Sequence, residues 1–284
     1  MSQQTTRLHD PVALCISGGD LRVRSVLVTV FEDLIRPHGG EIGIMALQRV
    51  FAVLGHEAGA VRTAVSRLTA EGVLERRRDG RASFYRLSAA QIAKNREGVR
   101  RVYAPVGRAS GSNWLLVHLE DAEIAGHAAR LRAAGFLSPA RDIFIWPLSR
   151  PAPTDMLPRG AIVARGVLML DASHRAALCP PGVVEGYCAL IEDIAIARER
   201  LDREVLHPHR ALAVRLLLIH RWQKLLLSHA ELSREIEPDD WPGERARAEV
   251  AQLYRAMVRQ SEDWLRNLVP ELGGTTWCEL PARF

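Results

Sequence analysis

Cysteine is scarce in this sequence, and its few occurrences are scattered along the chain. The four positions are Cys15, Cys179, Cys188 and Cys278, with no C-x-x-C pair among them and no nearby histidine at zinc-ligand spacing. Structural zinc sites and disulfide frameworks both need cysteines at short, recurring intervals. The sequence therefore predicts neither a metal site nor a disulfide framework.

Long apolar runs are also missing. The most apolar stretches, around Ala161–Leu170 and Leu216–Ile219, are interrupted by arginines, whereas a membrane-spanning helix needs about 20 consecutive apolar residues. The first ten residues, MSQQTTRLHD, lack the charged-then-apolar layout of a secretion signal. We expect a cytoplasmic protein that makes no membrane contact.

The common catalytic fingerprints do not occur. The sequence contains no G-x-S-x-G, no H-E-x-x-H, no phosphate-binding loop and no dinucleotide-binding motif. Each of these motifs places a nucleophile, a metal or a phosphate at a defined turn or helix. We therefore expect that the protein is not an enzyme and carries no cofactor.

Lysine is rare as well, because only 2 of the 38 basic side chains are lysines. Residues 1–110 carry 17 basic and 10 acidic side chains, a net charge of +7, whereas the remainder carries 21 basic and 23 acidic, a net charge of −2. A basic first third on a nearly neutral body places a surface for polyanions in that third.

This basic third has the element order of a winged helix-turn-helix. Apolar spacing predicts helices over residues 22–35, 45–54 and 57–71. Two β-compatible runs then flank Asp79-Gly80, a dipeptide suited to the positive φ angles of a tight hairpin turn. Three helices followed by a basic hairpin predict a winged helix-turn-helix domain at residues 21–90, after a flexible tail at residues 1–20.

The third helix has two different faces. At about 100° per residue, its apolar side chains point inward and its polar ones outward. Guanidinium groups and short hydroxyls suit a helix in the major groove of DNA, although a solvated amphipathic helix would show the same division. The predicted DNA-reading residues are Arg62, Thr63, Ser66 and Arg67.

The hairpin concentrates positive charge near its tip. Each phosphate that a cation neutralises releases counterions, so such a tip favours contact with the DNA backbone or the minor groove. The alternative is an edge hairpin that charge protects from aggregation. The predicted contact residues are Arg76, Arg77, Arg78, Arg81, Ser83 and Tyr85.

The predicted secondary structure divides the rest of the chain into three segments. Residues 91–112 form a connector, and residues 113–178 have a β-α-β-β pattern that suggests a ferredoxin-like domain. Residues 179–284 are predicted to form a helical C-terminal domain. The predicted fold class is α+β.

Several segments together resemble the PaaX-type regulators, which repress aerobic phenylacetate degradation in bacteria. The resemblance covers about residues 21–270. The segments that carry it are Ser25–Asp33, Arg36–Ile42, Val61–Leu68, Glu71–Glu75, Trp114–Val117, Leu216–His220, Asp240–Gly243 and Leu253–Arg255.

The resemblance implies a homodimeric repressor that binds a double-stranded DNA operator and leaves it when phenylacetyl-coenzyme A binds. It also implies that the central domain is similar to the ferredoxin-like nucleases of CRISPR spacer acquisition. The segment 179–189 and the tail before Leu21 depart from the family pattern, which leaves open a different acyl-coenzyme A or aromatic effector, or none.

An aryl-acyl-coenzyme A needs cations for its phosphates and an apolar slot for its ring. Arginine, histidine, lysine and tryptophan side chains in three regions could supply these. For each we favour the alternative of a core aromatic or a surface charge, and for His220 that of a hydrogen-bonded core histidine. The candidates are Arg36, His38, Trp146, Arg150, Arg215, His220 and Lys224.

A metal-dependent nuclease is the alternative function. Phosphodiester cleavage needs acidic ligands at strand ends, and Glu120, Asp121 and Glu123 follow the first central strand. These acids also open a helix, where they interact favourably with the helix dipole. We therefore favour a role at the helix start over a metal site.

Overall fold

The chain combines α-helices with two small antiparallel sheets and has three long helices in its C-terminal part, which confirms the predicted α+β class. The computed structural model describes residues 12–13, 16, 21–105, 113–148, 151–179, 182–229, 237, 239–268 and 283–284. Its helices are α1 (Val23–Val30), α2 (Ile44–Val53), α3 (Ala58–Ala70), α4 (Ala89–Val102), α5 (Asp121–Ala133), α6 (Ala172–Ala177), α7 (Val183–Leu201), α8 (Pro208–Leu226) and α9 (Gly243–Arg266). Its strands are β1 (Ile42–Gly43), β2 (Leu74–Asp79), β3 (Ala82–Leu87), β4 (Trp114–His118), β5 (Ile143–Pro147) and β6 (Ile162–Gly166).

The first predicted helix exists, but its second half is wound differently. After α1 the chain continues as one π-helical turn, Phe31–Ile35, and then as a short 3₁₀ turn, Arg36–His38. All five residues of the π turn are buried, although two of them are acidic. Gly39, at φ +99°, ends the helical path because this conformation is accessible to glycine at little cost.

The next two helices and the hairpin lie close to their predicted bounds. The first sheet has the strand order β1-β3-β2, and all its pairs are antiparallel. The hairpin turn is one residue later than predicted, because Asp79 pairs with Ala82 and the two-residue loop is therefore Gly80-Arg81. Gly80 takes the positive φ, +56°, that a primed turn requires at its first loop position.

The second sheet has the order β5-β4-β6, and both pairs are antiparallel. An isolated antiparallel bridge joins Leu137 to Ile145 in β5. The last strand, β6, is shorter than the predicted Ala161–Leu170, because pairing with β4 stops at Gly166. One face of this sheet packs on α5 through a buried cluster that includes Val117, Leu131 and Phe144.

The described residues form two compact units. One is drawn from residues 1–106, 188–226 and 245–284, and the other from residues 107–187 and 227–244. The first unit thus includes α4, whose last residue accepts a hydrogen bond at Val102 O from Trp222 Nε1 in α8 (3.0 Å). Among the described helices, none has the length and apolar character that crossing a membrane requires.

Candidate nucleic-acid interface and its supporting network

Helix α3 has one buried face and one exposed face. Its inward side chains, Val61, Val65 and Leu68, are at most 2% exposed. They anchor the helix and leave the opposite side in contact with solvent. That exposed side holds all four residues predicted to read DNA, Arg62, Thr63, Ser66 and Arg67, together with Gly59.

The arginines on this face form no close ion pair with a described acid, although Arg67 interacts electrostatically with Glu71, which Arg24 already binds. Neither Arg62 nor Arg67 forms an ion pair with any acidic side chain in the described part of the chain. The Thr63 hydroxyl donates to Gly59 O within the helix (3.0 Å), so its own lone pairs stay available to a donor. The face therefore offers two cations and a hydroxyl acceptor to a ligand.

The hairpin sorts its predicted residues onto two faces. Because strand side chains alternate and Arg76 is opposite Tyr85 while Arg78 is opposite Ser83, these four share one face. On that face Arg76 donates to Ser83 Oγ from both Nε (3.1 Å) and Nη2 (2.6 Å). Arg78 and Arg81 (the latter in the turn) have no described ion-pair partner and remain free to meet an anion.

Arg77 points to the other face of the hairpin and is already engaged. Its Nε donates to Glu41 Oε2 (2.9 Å) and its Nη1 to Asp79 Oδ2 (3.2 Å). Its guanidinium carbon also lies 4.8 Å from the centre of the Phe84 ring. Arg77 thus fastens the hairpin to the chain segment before β1 and offers less charge to a ligand than Arg78 or Arg81.

A side-chain bridge ties the start of α1 to the end of α3. Arg24 Nη2 donates to Glu71 Oε2 over 2.6 Å, and Nη1 donates to the other carboxylate oxygen. The hydrogen bonds from Arg24 lower the pKa of Glu71. This bridge therefore couples the position of α1 to that of α3.

Two of the proposed effector residues lie in the turn after the π turn. Arg36 is exposed, pairs with the buried Glu32 (2.8 Å) and lines a cavity of about 200 Å³ beside Arg86. His38 is 2% exposed. The structure thus separates them, with Arg36 at the surface and His38 in the interior.

Arg215 is completely buried and is bound to an acid that the sequence analysis did not single out. Its Nε donates to Asp33 Oδ2 (2.8 Å) and its Nη2 to Asp33 O (3.2 Å). The other carboxylate oxygen, Oδ1, accepts hydrogen bonds from the hydroxyls of Tyr103 (2.7 Å) and Tyr254 (2.8 Å) and from Arg283 Nη1 (2.9 Å). We call these five residues the Asp33 network.

The Asp33 network holds its carboxylate in the charged form. Burial opposes ionisation, but the charges of Arg215 and Arg283 and the two tyrosine hydroxyls outweigh it, so the pKa of Asp33 lies below its usual value. Burial and the neighbouring Asp33 charge raise the pKa of Tyr103 and Tyr254, which keeps both hydroxyls protonated as donors.

His220 belongs to a second polar contact between α1 and α8. It is 3% exposed, and its Nδ1 lies 2.9 Å from Thr29 Oγ1. Because the Thr29 hydroxyl gives its proton to Gln223 Oε1 (2.7 Å), Nδ1 must be the donor in this pair. Burial, with the charge of Lys224, lowers the pKa of His220 to about 4, so the imidazole is neutral.

Three predicted effector residues remain: Lys224, Trp146 and Arg150. Lys224 is exposed on the same helix, α8. Trp146 belongs to the other unit, where it is 7% exposed in the core of the β4–β6 sheet. Arg150 lies outside the described residues.

The acids of the nuclease alternative flank the start of α5. Glu120 is exposed immediately before the helix, and Asp121 and Glu123 lie in its first turn, although their side chains are outside the described part. Among the described residues, no three side chains of the metal-ligating types come together.

Four members of the Asp33 network were missed from the sequence: Asp33, Tyr103, Tyr254 and Arg283. No periodicity links them, since Asp33 and Arg283 are 250 positions apart. The one available signal was the pair Glu32-Asp33 inside an otherwise apolar helical stretch. Charged residues are rarely buried unless they are paired, so this pair could have been marked as awaiting a partner.

Comparison with known proteins gives consistent results at both ends of the chain. Residues 22–91 match the family described as PaaX-like protein, and residues 182–267 match the PaaX-like protein C-terminal domain. The chain is 29% identical over 303 residues to "Transcriptional repressor PaaX" of Escherichia coli strain K12, covering 99% of this chain and 92% of that protein.

Among solved structures, an uncharacterized protein from Mycobacterium tuberculosis is similar in fold. It superposes with a TM-score of 0.56 at 22% sequence identity, over 87% of this chain and 100% of that chain. This similarity concerns the fold alone. With both family domains matched in order and a relative aligned over nearly its whole length, the chain belongs to the PaaX-like protein family.

Proposed function

We propose that this chain is a DNA-binding transcriptional repressor of an aromatic-acid catabolic operon of the phenylacetate type, and that it acts by binding rather than by catalysis. In this proposal residues 21–90 form a winged helix-turn-helix, with α3 as the recognition helix and β2–β3 as the wing. The order of three helices and a hairpin supports this assignment. The name of the Escherichia coli relative, a transcriptional repressor, supports the function.

One observation carries the proposal above the others. The exposed face of α3 holds Arg62 and Arg67, which form no ion pair with a described acid, and these flank the small hydroxyl residues Thr63 and Ser66. A solvated helix gains little from leaving two arginines unpaired, whereas a helix in the major groove uses them for guanine edges or phosphates. Sequence reading is therefore assigned to this face.

The hairpin is assigned to the DNA backbone or the minor groove. Arg78 and Arg81 are free to pair with phosphates, and Arg76, Ser83 and Tyr85 lie on the same strand face as Arg78. Arg77 is assigned a smaller part in DNA contact because it already forms an ion pair with Glu41.

The remaining parts are proposed to sense the effector and to form the dimer. A ferredoxin-like arrangement of residues 113–178 is supported by the bridge at Leu137, which lies on the side of β5 away from β4, where a fourth strand would pair. We propose a homodimer on a two-fold operator. Binding of an aryl-acyl-coenzyme A such as phenylacetyl-coenzyme A then releases the homodimer from the operator.

The DNA assignment is tested by measuring affinity for the chain's own promoter and for a scrambled duplex. Arg62→Ala and Arg67→Ala are expected to cost about 1–3 kcal/mol on the promoter wherever the arginine contacts a base, and less on scrambled DNA. Arg200→Ala is the matched control, because Arg200 is also an exposed helical arginine. Wild-type affinity in both α3 variants would refute the assignment.

The effector assignment is tested separately with wild-type protein already bound to the promoter. Phenylacetyl-coenzyme A is expected to weaken binding, whereas acetyl-coenzyme A, which lacks the ring, is expected to leave it unchanged. Equal affinity with and without both thioesters would remove the effector from the proposal and leave the DNA-binding function standing.

A further inference from the structure

Phe284 is seated between two tyrosines of the Asp33 network. Its ring meets Tyr103 edge-on at 5.5 Å and Tyr254 at 5.3 Å between centres. Its N–H donates to Tyr103 O (3.3 Å), and its main-chain oxygen accepts from Arg255 Nη2 (2.8 Å). Edge-to-face contacts and two main-chain hydrogen bonds thus hold a phenyl ring and a nearby main-chain oxygen in one place.

The preceding residue, Arg283, links this seat to the end of α1. Its guanidinium carbon lies 4.1 Å from the Tyr103 ring centre. It donates to Asp33 Oδ1 and to two backbone carbonyls of the π turn, Glu32 O (3.0 Å) and Asp33 O (3.2 Å). The dipeptide Arg283-Phe284 therefore holds the π turn against α4 and α9.

The dipeptide brings a second cation to one buried carboxylate. Arg215 and Arg283 both form ion pairs with Asp33. Arg215 Nη1 is buried and has no described acceptor. Two cations on one carboxylate and an unsatisfied donor mark a contact that another group can replace.

We propose that Tyr103, Tyr254 and Arg255 form the slot for the aryl-acyl group of the effector, and that Phe284 occupies this slot until the ligand displaces it. The inference rests on the proposed effector-responsive function and adds a location and a mechanism of regulation to it. The aryl ring replaces the Phe284 ring, and the acyl carbonyl accepts the hydrogen bond from Arg255.

Displacement has a route to the DNA-binding helix. Without Arg283 the π turn loses its hydrogen bonds from this residue at Glu32 and Asp33, and α1 is the helix that Arg24 ties to Glu71 at the end of α3. A π turn is a local variant of the α-helix and is often found at functional sites. Its rearrangement is the two-state element that connects the slot with α3.

The first test compares ligand affinities by calorimetry on the full chain. Removing a resident competitor raises the competent fraction of the protein, so Phe284→Ala is expected to lower the Kd for phenylacetyl-coenzyme A about tenfold. Arg255→Gln is expected to raise it. The Kd for acetyl-coenzyme A should not change with Phe284→Ala, since acetyl-coenzyme A has no ring to place in the slot.

An unchanged Kd for Phe284→Ala, or an equal gain for acetyl-coenzyme A, would overturn the slot while leaving the effector function intact. Failure of the thioester to bind any variant would overturn both the effector claim and this inference. Operator affinity measured without ligand reports on the DNA function independently.

The second test follows Phe284 directly. With 4-fluorophenylalanine at position 284, saturating phenylacetyl-coenzyme A is expected to move the fluorine resonance to the position of the solvent-exposed residue. A resonance that stays at its ligand-free position under saturation would show that the ring is not displaced.

Discussion

Asp33 and Arg215 form a salt bridge from which solvent is excluded, with 2.8 Å between Asp33 Oδ2 and Arg215 Nε and 182 positions between the residues in the chain. It joins the π turn after α1 to α8. A buried pair of this kind adds little net stability compared with an apolar contact, but removal of one partner leaves an uncompensated charge in the interior.

Asp33→Asn is therefore expected to destabilise the protein by about 3–5 kcal/mol, because Arg215 and Arg283 then lack their counter-charge. Urea unfolding followed by circular dichroism measures the change. Glu97→Gln, which breaks the exposed pair between Glu97 and Arg100, is the matched control and should leave the free energy of unfolding nearly unchanged. A similar small effect for both variants would contradict the role of Asp33.

The neutral, buried His220 gives stability a defined pH dependence. Its pKa is about 4 in the folded protein and about 6.5 in the unfolded chain. The folded state then binds fewer protons than the unfolded state between these values. The stabilising contribution is complete above pH 6.5 and is lost as the pH falls from 6.5 to 4, by about 3 kcal/mol in total.

The measurement is the free energy of unfolding at several pH values for wild type and His220→Gln. The difference in the free energy of unfolding between the two proteins should change with pH between 6.5 and 4. The same series for His209→Gln, at an exposed position, serves as the control. Parallel curves for wild type and His220→Gln would show that His220 does not titrate between the two states as described.

Gly59 on the exposed face of α3 is expected to separate stability from DNA binding. A Cβ built there meets nothing within 4 Å, so Gly59→Ala should stabilise the protein by about 0.5 kcal/mol through helix propensity. The added methyl lies on the proposed reading face and should weaken operator binding. Gly126→Ala in α5, where a Cβ also meets open space, should stabilise without altering DNA affinity. Unchanged operator affinity for Gly59→Ala would exclude close approach at this position.

The hairpin arginines are expected to differ in their dependence on salt. Arg78→Ala and Arg81→Ala should each reduce the slope of log K against log salt by about 0.9 on random-sequence DNA, since each removes one phosphate contact. Arg77→Ala should reduce it less, because Glu41 already pairs with Arg77. Fluorescence anisotropy from low to moderate salt gives the slopes. A larger loss for Arg77→Ala than for Arg78→Ala would reverse the assignment of the two strand faces.

The sequence predicted the elements whose information is local. The 3.6-residue spacing of Val61, Val65 and Leu68 gave the buried face of α3 and so also its exposed face. The hairpin was visible from its turn residues, although the turn itself is one residue later because Asp79 pairs with Ala82. Register depends on cross-strand pairing, which the turn dipeptide alone does not determine.

The Asp33 network could not be predicted in the same way. Its members come from α8, α9, the π turn, the residue after α4 and position 283, and their meeting depends on how distant segments pack. Arg215 was chosen for its charge and its place on an apolar helix, but nothing local identified Asp33 as its partner. His220 was foreseen as a core histidine, whereas its hydrogen bond to Thr29 required the three-dimensional structure.

The first compact unit is assembled from three separated stretches of the chain, and this affects how it is made. Synthesis runs from the N-terminus, so the proposed DNA-binding residues leave the ribosome long before α8 and α9 exist. Asp33 therefore stays exposed to water, without its ion-pair partner, until α8 has been synthesised and Arg215 can pack against it. We therefore expect that a nascent or truncated chain ending before α8 cannot fold the first compact unit completely. Operator binding would then depend on synthesis of the C-terminal helices.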